Sequence, residues 1–558
     1  MELTGAQALL ESLKNEGVDI IFGYPGGVVL PLYDAMYSDK RIKHILVRHE
    51  QGAAHAADGY ARATGKVGVC LATSGPGATN LTTGIANAYM DSIPMVAITG
   101  QVATSLLGKD SFQESDITGI TMPISKHNYL IKKTEDLPRI IKEAFHIARS
   151  GRPGPVVIDI PKDVFVHKID YKYPDKIDLP SYNPRTEGHP KQISMAVKAI
   201  QAAKKPIIYA GGGIISATAA KELKELAEKC NIPVTTTLMG KGAFPETHEL
   251  SMGMLGMHGT AYANYAVTDC DLLIGIGARF DDRVTGHIEK FAPNAKIIHI
   301  DVDPAEIGKN VRVDIPIVGD VKKVLRALID KVGPKEKHAP WVEQINEWKK
   351  KYPLSYRKDN SLKPQFVIEQ VYELTKDRDT IIVTEVGQHQ MWSAMFYKYT
   401  KPRSFISSGG LGTMGFGLPA ANGAQFGRPD ALVIDFAGDG SIQMNIQELT
   451  TAVNNKLPIK IFVLNNCFLG MVRQWQELIY NKHYSHTNLC NNPDLVKVAE
   501  AYGAVGMRVT KPEEVKAAIE KAFEVKDRPV LIDFVIAKEE NVFPFVPSGQ
   551  PINEMIID

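Results

Sequence analysis

The segment ALVIDFAGDGSIQMNIQELTTAVNNKLPIKIFVLNN, residues 431–466, decides the fold of this chain. ALVIDFAG and PIKIFVLNN are short apolar runs and predict buried strands. Between them, NIQELTTAVNNK places Ile446, Leu449 and Val453 at helical spacing on one face. A strand, a helix and a second strand in this order predict a crossover in a parallel sheet, and ligands of such sheets bind at the carboxyl ends of the strands.

Two polar residues follow these strands at the edge where ligands bind. Asp439 lies between two glycines after the first strand, and Asn466 ends the second. The glycines let backbone approach a ligand and leave amide N–H groups free for phosphate oxygens. One carboxylate and one amide oxygen suit Mg²⁺ that takes its remaining ligands from water and a diphosphate. The pattern predicts such a site, and the alternative is an Asx-type turn followed by an ordinary strand end.

Similar alternation of apolar runs and helical patterns predicts an α/β fold with three doubly wound parallel-sheet domains. Two polar, proline-bearing stretches, 166–190 and 332–364, are typical of linkers, the second with some helix. They delimit domains at 1–165, 190–332 and 364–558. The other buried-strand candidates are VGVCLA, PMVAITG, PVVIDIP, PIIYA, DLLIGIGAR, AKIIHIDVD, TIIVTEVG and PVLIDFVIA.

The composition of the chain narrows the class of function. Lys and Arg number 64 and Asp and Glu 63, so charge gives no reason to expect a nucleic-acid or membrane partner. Five scattered cysteines without a CxxC motif indicate reduced thiols in a cytoplasmic protein, not a disulfide frame or a zinc site. The N-terminal residues lack the pattern of a signal or transit peptide, and the longest apolar runs have the length of strands.

Several motifs resemble one family over some 500 residues of the chain. GDG followed by NN is similar to the thiamine-diphosphate signature, and NNCFLGMVRQWQELIY at 465–480 resembles the catalytic subunits of acetolactate (acetohydroxyacid) synthases. The further matching motifs are FGYPGG, RHEQGAAHAADGYARATGKVGV, ATSGPGATN, DSFQE, SKHNYL, GARFDDRVTG and GGLGTMGFGLPAA.

The resemblance implies that the first domain binds the pyrimidine of thiamine diphosphate and the third its diphosphate. Glu50 would donate to ring atom N1′, and we expect burial to keep its carboxyl protonated enough for that role. The alternative is an acid that favours the start of the helix after it. Mg²⁺ would be held by Asp439, Asn466 and the carbonyl of Phe468. The other implied cofactor contacts are Gly26, Gly27, Pro76, Val386, Gly387, Gln388, His389, Gly412, Met414, Gly438, Gly440, Ser441, Gly470, Met471 and Val472.

Two of these contacts have ordinary alternatives. Met414 would wedge under the cofactor to hold it bent, but a methionine in such a place is more often core filler. His389 would bind the diphosphate, but otherwise indicates a loop histidine at a strand end.

The family decarboxylates pyruvate on the cofactor and adds the hydroxyethyl carbanion to a second 2-ketoacid. A second pyruvate gives 2-acetolactate, and 2-ketobutyrate gives 2-aceto-2-hydroxybutyrate, in the first common step of branched-chain amino-acid biosynthesis. By resemblance, Arg283 orients the acceptor carboxylate and Trp475 shapes its pocket. Alternatively Arg283 pairs with Asp281 or Asp282 and Trp475 belongs to a helix core. The family residues lining the approach to the cofactor correspond to Phe112, Gln113 and Lys162.

The middle domain resembles the FAD-binding domain of the biosynthetic members. GGGI after the strand PIIYA and the acids after IIHI are typical of a dinucleotide site, although the spacing is not GxGxxG. The alternative is a spacer that binds nothing. The implied FAD contacts are Arg152, Gly211, Gly212, Gly213, Met257, His258, Gly277, Arg279, Asp281, Arg283, Asp301 and Asp320.

In this superfamily each active site takes halves from two chains, which implies a homodimer or homotetramer. The biosynthetic enzymes also bind a small regulatory subunit that senses amino acids. Among related enzymes, the flavin-free fermentative synthase and pyruvate oxidase are disfavoured by RQWQE and RFDDR, and glyoxylate carboligase by Glu50. A Rossmann oxidoreductase would leave Glu50 and the GDG–NN pair unexplained, and a non-catalytic homologue would not keep every catalytic position filled.

Overall fold

The structure, a computed structural model, describes residues 1–334 and 338–557 of the chain. These residues form an α/β fold with three six-stranded parallel sheets, so the predicted fold class is confirmed. A small antiparallel pair joins the strands Glu2–Thr4 and Lys168–Asp170. Within the described ranges, no helix is both long enough and apolar enough to cross a membrane.

The first sheet lies in the N-terminal third of the chain and is covered by helices on both faces. From one edge to the other, its strands are Lys43–Leu46, Ile20–Gly23, Gly68–Ala72, Met95–Gln101, Pro155–Pro161 and His127–Leu130. Its helices are Gly5–Asn15, Leu30–Ser38, Glu50–Thr64, Pro76–Asn80, Thr82–Met90, Ile117–Thr121, Leu137–Arg149 and Lys162–Val166.

The central sheet also has buried clusters on both faces. From edge to edge, its strands are Ser251–Met254, Val234–Thr236, Pro206–Ala210, Leu272–Ile276, Lys296–Asp301 and Ile315–Val318. Its helices are Pro190–Ala202, Gly212–Ser216, Ala220–Cys230, Ala261–Asp269, Asp282–Thr285, Val321–Ile329 and Ala339–Lys351.

The third sheet contains the segment that decides the fold. From edge to edge, its strands are Phe405–Ile406, Thr380–Thr384, Leu432–Gly438, Lys460–Asn465, Val530–Val535 and Val505–Val509. Its helices are Pro364–Thr375, Gln388–Phe396, Gly417–Gly427, Leu449–Asn454, Gly470–Leu478, Leu495–Ala501 and Val515–Glu524.

The crossover after Asp439 differs from the continuous helix that its spacing predicts. A 3₁₀ helix, Ile442–Glu448, leads into the short α-helix Leu449–Asn454, and Asn445 has a non-helical φ of −135°. The Asn445 amide donates to the carbonyl of Gly415 at 2.7 Å. This tertiary hydrogen bond competes with the regular helix and kinks the chain.

Both predicted linkers contain ordered elements. In the first, Lys168–Asp170 pairs with the N-terminal strand, because Ile169 can bury its side chain while its two neighbours remain exposed. In the second, the helix Ala339–Lys351 buries Trp341 and Ile345 against the central sheet. Residues 335–337 of this linker lie outside the described residues.

Two helices join the first and third sheets within the chain. Glu50–Thr64 packs against Gly417–Gly427 with glycines at the contact. A Cβ atom on Gly59 would lie 2.1 Å from the Ala420 carbonyl oxygen, and one on Gly423 would lie 1.8 Å from that of Ala56. The two backbones therefore touch at positions where only glycine fits, and this contact fixes the first sheet against the third.

Candidate active site

Asp439 and Asn466 lie at the carboxyl ends of neighbouring strands, as the sequence predicts. Gly438 pairs with Leu464 in the parallel register, so the residues that follow them emerge side by side. Both side chains are buried, with 2% of Asp439 and 5% of Asn466 exposed. The arrangement brings a carboxylate and an amide together at one edge of the third sheet.

The carboxyl of Asp439 has few partners for a buried acid. Burial raises its pKa to about 7, while backbone N–H groups of Asp439 and Asn466 favour the ionised form. The amide of Asn492 donates to its Oδ2 at 3.4 Å. A buried carboxylate is costly unless a cation or hydrogen bonds compensate it, so this environment suits a bound divalent cation.

The described residues contain no cluster of three or more His, Cys, Asp or Glu that could hold a metal alone. A cation at Asp439 would take further ligands from the Asn466 amide and the Phe468 carbonyl. The Asn466 Oδ1 accepts the Phe468 N–H at 3.1 Å, which holds these two residues in one tight turn. Such a donor set fits Mg²⁺ only when a diphosphate or water completes the shell.

The second amide of the NN pair has a structural role. The Asn465 side chain donates to Asp533 at 2.9 Å, whereas the Asn466 side chain donates to Gln388 Oε1 at 3.1 Å. Gln388 in turn donates to Gln474 at 2.9 Å. This chain of amides ties the strand end to the helix Gln388–Phe396, and only Asn466 of the pair faces the predicted site.

His389 is packed directly against the GDG turn. A Cβ on Gly438 would lie 2.8 Å from His389 Nδ1, so the ring occupies the space that the glycine leaves. Burial lowers the pKa of His389 to about 3, so the imidazole is neutral. Its Nε2 is buried without a hydrogen-bond partner among the described residues. A buried polar atom of this kind needs a partner, and a cofactor phosphate would supply one.

The loop that carries Met414 is held by Glu385, which the sequence interpretation missed. The fully buried Glu385 carboxylate accepts the Gly415 N–H at 2.7 Å and the Leu418 N–H at 3.1 Å. It also accepts the Ser441 hydroxyl at 2.9 Å. Ser441 therefore has only its backbone left for a diphosphate. The available signal was an acid ending the apolar run TIIVTE.

Some of the predicted cofactor residues of the third sheet and nearly all of those of the central sheet line one cavity of about 1100 Å³. This volume exceeds that of an ordinary small-molecule pocket. The lining residues from the third sheet include Val386, Gly387, Gly412, Met414, Met471, Val472 and Trp475. Met414 lines this cavity, and its methyl group would lie 3.9 Å from a Cβ atom on Gly440. The GDG turn therefore lies beside the cavity. Gly470 adjoins the same turn, since a Cβ there would lie 2.1 Å from Gln388 Oε1.

Arg283 and Trp475 meet across this cavity. The guanidinium carbon of Arg283 lies 5.6 Å from the centroid of the Trp475 ring, within the range of a cation–π contact. The ion pair of Arg283 with Asp282 is long at 3.8 Å, and Trp475 is only half-buried. The geometry therefore favours a pocket over the two structural alternatives, a surface ion pair and a helix core.

The central sheet lines the other end of the cavity with nearly all the predicted FAD contacts. These are Arg152, Gly212, Gly213, Met257, His258, Gly277, Arg279, Asp281, Arg283, Asp301 and Asp320. Gly211 is absent from the wall, because it packs on Gly277, whose carbonyl oxygen would lie 2.0 Å from a Cβ. Its role is close backbone packing.

Polar atoms in this end of the cavity lack partners, as expected of a ligand site. His258 Nδ1 and Asp281 Oδ1 are buried without hydrogen-bond partners among the described residues. Burial lowers the pKa of His258 to about 4 and raises that of Asp301 to about 6. A polar ligand such as a flavin dinucleotide could satisfy these groups, so the residues fit FAD.

The predicted residues of the first domain gather at the carboxyl edge of the first sheet. Glu50 begins the helix Glu50–Thr64 and is half-buried, less than expected. Its Oε2 accepts the amide of Asn80 at 3.0 Å, a partner to which the sequence interpretation gave no role. Gly77 is close by, since a Cβ there would lie 3.3 Å from Glu50 Oε1.

The other first-domain residues lie on the loops around Glu50 or on the same edge. Gly26 packs on Thr73 and Gln113 on Gly75, whereas Gly27 faces open space. Pro76 and Lys162 each begin a helix after a strand of the first sheet. Phe112 is 88% exposed. Glu50 and these neighbours lie at the edge of the first sheet, whereas Asp439 and Asn466 lie at the edge of the third, so one chain presents two groups of predicted site residues on different sheets.

Family comparisons agree with this division into three sheets. Three family models match the chain: the N-terminal TPP binding domain of thiamine pyrophosphate enzymes at residues 3–120, their central domain at 193–328, and their C-terminal TPP binding domain at 385–534. Each model falls on a different one of the three sheets. The fold and the GDG site therefore define a thiamine-diphosphate-dependent enzyme.

Curated relatives narrow the class further. The chain is 51% identical to the acetolactate synthase large subunit of Haemophilus influenzae, over 100% of this chain and 98% of that protein. It is 49% identical to the acetolactate synthase isozyme 3 large subunit of Escherichia coli, over 99% and 98%. It is 54% identical to the large subunit of Corynebacterium glutamicum, over 98% and 89%. The chain belongs to the acetolactate synthase family.

Proposed function

We propose that the chain decarboxylates pyruvate and condenses the resulting two-carbon unit with a second pyruvate or with 2-ketobutyrate. The products are 2-acetolactate and 2-aceto-2-hydroxybutyrate. The observation that carries this proposal is the cavity in which Arg283 lies over Trp475 and whose wall residue Met414 adjoins the GDG turn. An anion-binding side chain near the proposed diphosphate site supports the proposal.

Bound thiamine diphosphate supplies the electron sink for the reaction. Asp439, Asn466 and the Phe468 carbonyl would hold Mg²⁺ on its diphosphate, with His389 and the Gly440 backbone as further donors. Met414 would support the cofactor from the loop that Glu385 holds. Arg283 would orient the carboxylate of the acceptor, and Trp475 would limit the size of its side chain.

Glu50 would hold a proton at N1′ of the pyrimidine, and Asn80 positions its carboxyl. Because Glu50 and Asp439 belong to separate groups within one chain, a second copy would bring them together. We therefore include a homodimer in the proposal, with each active site built from the first sheet of one protomer and the third sheet of the other. Gln113, Phe112 and Lys162 would then line the approach from the first sheet.

The central end of the cavity would bind FAD in a structural role, because the proposed reaction has no net redox step. The unpartnered atoms of His258 and Asp281 support this assignment. A small regulatory subunit belongs to the same proposal, since the relatives named above are large subunits.

The test is incubation with pyruvate, Mg²⁺, thiamine diphosphate and FAD, followed by acid treatment of the product. Acetoin is expected, and omission of each cofactor in turn shows which are needed. Full activity without FAD would favour the flavin-free fermentative synthase. Acetyl phosphate and hydrogen peroxide, formed with phosphate and oxygen, would identify a pyruvate oxidase. The absence of pyruvate consumption with all cofactors present would refute the proposal.

A further inference from the structure

A buried acid from the third sheet reaches the segment that leads into Glu50. Glu448 ends the 3₁₀ helix of the crossover, and 1% of it is exposed. Its Oε1 accepts the backbone N–H of Arg48 at 2.9 Å and that of His49 at 3.1 Å. Arg48 and His49 lie between the strand Lys43–Leu46 and the helix that Glu50 begins. One carboxylate oxygen therefore holds the two residues before Glu50.

Glu448 is itself fixed from the third sheet. The hydroxyl of Thr451 donates to its Oε2 at 2.6 Å, and the amide of Asn422 donates to its backbone carbonyl at 3.1 Å. Both side-chain oxygens and the backbone carbonyl thus have partners. Buried polar groups whose hydrogen bonds are satisfied are rigid, so Glu448 is a firm point of attachment for the first sheet.

The helix that Glu50 begins leaves room for this carboxyl at Gly52. A Cβ atom on Gly52 would lie 2.6 Å from Glu448 Oε1 and 2.7 Å from the carboxyl carbon. Gly52 lies inside the α-helix and does not have a positive φ. Its backbone would accept alanine, which favours helices more than glycine does. The contact with Glu448, not the conformation of the chain, therefore requires the glycine.

Glu50 is consequently held at both ends. Glu448 fixes the backbone that precedes it, and the amide of Asn80 donates to its Oε2 at 3.0 Å. The first contact sets where the side chain begins, and the second sets where its carboxyl lies. A catalytic group has to be held within about 0.5 Å of its productive position by the residues behind it.

We infer that Glu448 is a positioning residue, which sets the distance between the Glu50 carboxyl and N1′ of thiamine diphosphate. This inference rests on the proposed function, because it assumes that Glu50 holds a proton there. In the proposed homodimer, the third sheet of one protomer would bind the diphosphate of one active site. Through Glu448, the same sheet would position Glu50 for the other site.

Exchange of the cofactor C2 proton measures this role. The holoenzyme, loaded with thiamine diphosphate, Mg²⁺ and FAD, is mixed with deuterium oxide, and the exchange is followed by NMR. Glu448→Ala should slow the exchange at least about tenfold, because a displacement of about 1 Å at a reacting group can cost about 100-fold. Its content of thiamine diphosphate should equal that of the wild type. A wild-type exchange rate in this variant would overturn the inference.

Glu448→Gln is the conservative comparison. Its Oε1 can still accept both N–H groups, and its amide can donate to the hydroxyl of Thr451. Exchange close to the wild-type rate is expected. Exchange as slow as in Glu448→Ala would contradict the role assigned to these hydrogen bonds.

Gly52→Ala displaces the carboxyl of Glu448 without removing it. The variant should fold, because alanine favours the helix, and it should exchange the C2 proton more slowly than the wild type. If Glu448→Ala does not fold, a wild-type rate in Gly52→Ala would overturn the inference.

The double variant Gly52→Ala/Glu448→Ala tests whether the two changes act through one contact. It should exchange no more slowly than Glu448→Ala alone, because the new Cβ atom then meets no carboxyl. Residues in contact show such non-additive effects, whereas independent sites add. Additive slowing in the double variant would contradict the inference.

Glu222→Ala controls for a general loss of stability. Glu222 is a buried acid on the helix Ala220–Cys230 beside the central sheet, and it accepts Arg326 at 3.0 Å. Its loss should lower the unfolding temperature and leave C2 exchange unchanged. Equal slowing in Glu222→Ala and Glu448→Ala would assign the effect to stability and overturn the inference. A wild type that exchanges C2 no faster than free thiamine diphosphate would refute the proposed function instead.

Discussion

The guanidinium of Arg283 lies 5.6 Å from the ring centroid of Trp475, although Arg283 lies on a helix beside the central sheet and Trp475 on a helix beside the third. The contact spans the cavity from wall to wall. The Nη1 atom of Arg283 also reaches Met257 Sδ at 3.9 Å. The proposed function gives carboxylate recognition to Arg283 and acceptor size to Trp475.

Arg283→Lys should lower kcat/KM for the condensation by about tenfold or more, because lysine cannot make the planar bidentate contact with a carboxylate. Retention of thiamine diphosphate should not change. Product formation at varied pyruvate measures the effect, with cofactor content as the control. A variant with wild-type kcat/KM would remove Arg283 from acceptor binding.

Trp475→Leu should reduce the preference for 2-ketobutyrate over pyruvate by about tenfold, the usual value of a lost apolar contact in a pocket. The indole would otherwise pack on the additional methylene of the larger acceptor. Competition between the two 2-ketoacids, with both products quantified from one reaction, gives the ratio directly. A ratio equal to that of the wild type would count against this role.

Asp439→Ala should abolish retention of thiamine diphosphate, since the only carboxylate of the proposed Mg²⁺ site is lost. Cofactor remaining after gel filtration is the measurement. Asn492→Ala is the matched control, because it removes the amide that Asp439 accepts and leaves the carboxylate. Its Mg²⁺ affinity should equal or exceed that of the wild type. Normal cofactor retention by Asp439→Ala would refute the metal assignment.

Glu50→Gln should bind thiamine diphosphate but exchange the C2 proton of the cofactor about 100-fold more slowly, the lower end of general acid–base contributions. Hydrogen–deuterium exchange followed by NMR measures this rate. Unchanged exchange would exclude Glu50 from the mechanism.

The same variant also tests the shared site. If Glu50→Gln and Asp439→Ala chains are unfolded and refolded together in equal amounts, about half of the dimers should be mixed. Each mixed dimer keeps one intact site of two, so about a quarter of all sites should be active. No recovery of activity in the mixture would argue for sites within single chains.

Asp435→Asn should make stability less dependent on pH. Burial and the charge of Glu385 raise the pKa of Asp435 well above its ordinary value of 3.8, and both of its oxygens lack hydrogen-bond partners among the described residues. The folded chain therefore keeps a proton that the unfolded chain releases, so stability present at low pH is lost as pH rises toward the folded pKa. That loss is about 1.4 kcal/mol per pH unit for one proton.

Thermal unfolding from about pH 5 to about pH 9 measures this slope. The asparagine side chain of the variant carries no titrating proton, so the unfolding temperature of the variant should fall less over the range. Glu385→Gln is the comparison and should be less stable at every pH, because a carboxylate that accepts two loop N–H groups is replaced. Parallel slopes for Asp435→Asn and the wild type would contradict the prediction.

The interior strands were predictable because both of their faces are covered. Met95–Gln101 and Pro155–Pro161 are buried at every position, so their apolar runs are continuous. Edge strands such as His127–Leu130 and Phe405–Ile406 are short or partly polar, and they carry no comparable signal. Strand pairing over long sequence separations, not local pattern, determines them.

The candidate site was predictable where strand ends and glycines mark it, as at Asp439 and Asn466. Sequence could not show that the Ser441 hydroxyl donates a hydrogen bond to Glu385, or that the Asn465 side chain donates one to Asp533. These partners come from other strands and helices, so only the folded chain brings them together. The same holds for Asn80 and Glu50, which approach each other from two helices.

The contact between the helices Glu50–Thr64 and Gly417–Gly427 at Gly59 and Gly423 has a consequence for the proposed assembly. Because carbonyl oxygens occupy the space of the missing Cβ atoms, the helices that carry these glycines are locked at one angle and one distance. That angle also sets the orientation of the first-sheet group of site residues relative to the third-sheet group. A larger side chain at Gly59 or Gly423 would touch no ligand, yet in the proposed homodimer it would misalign both groups with the neighbouring copy at once, so this buried contact would set how the two protomers fit together.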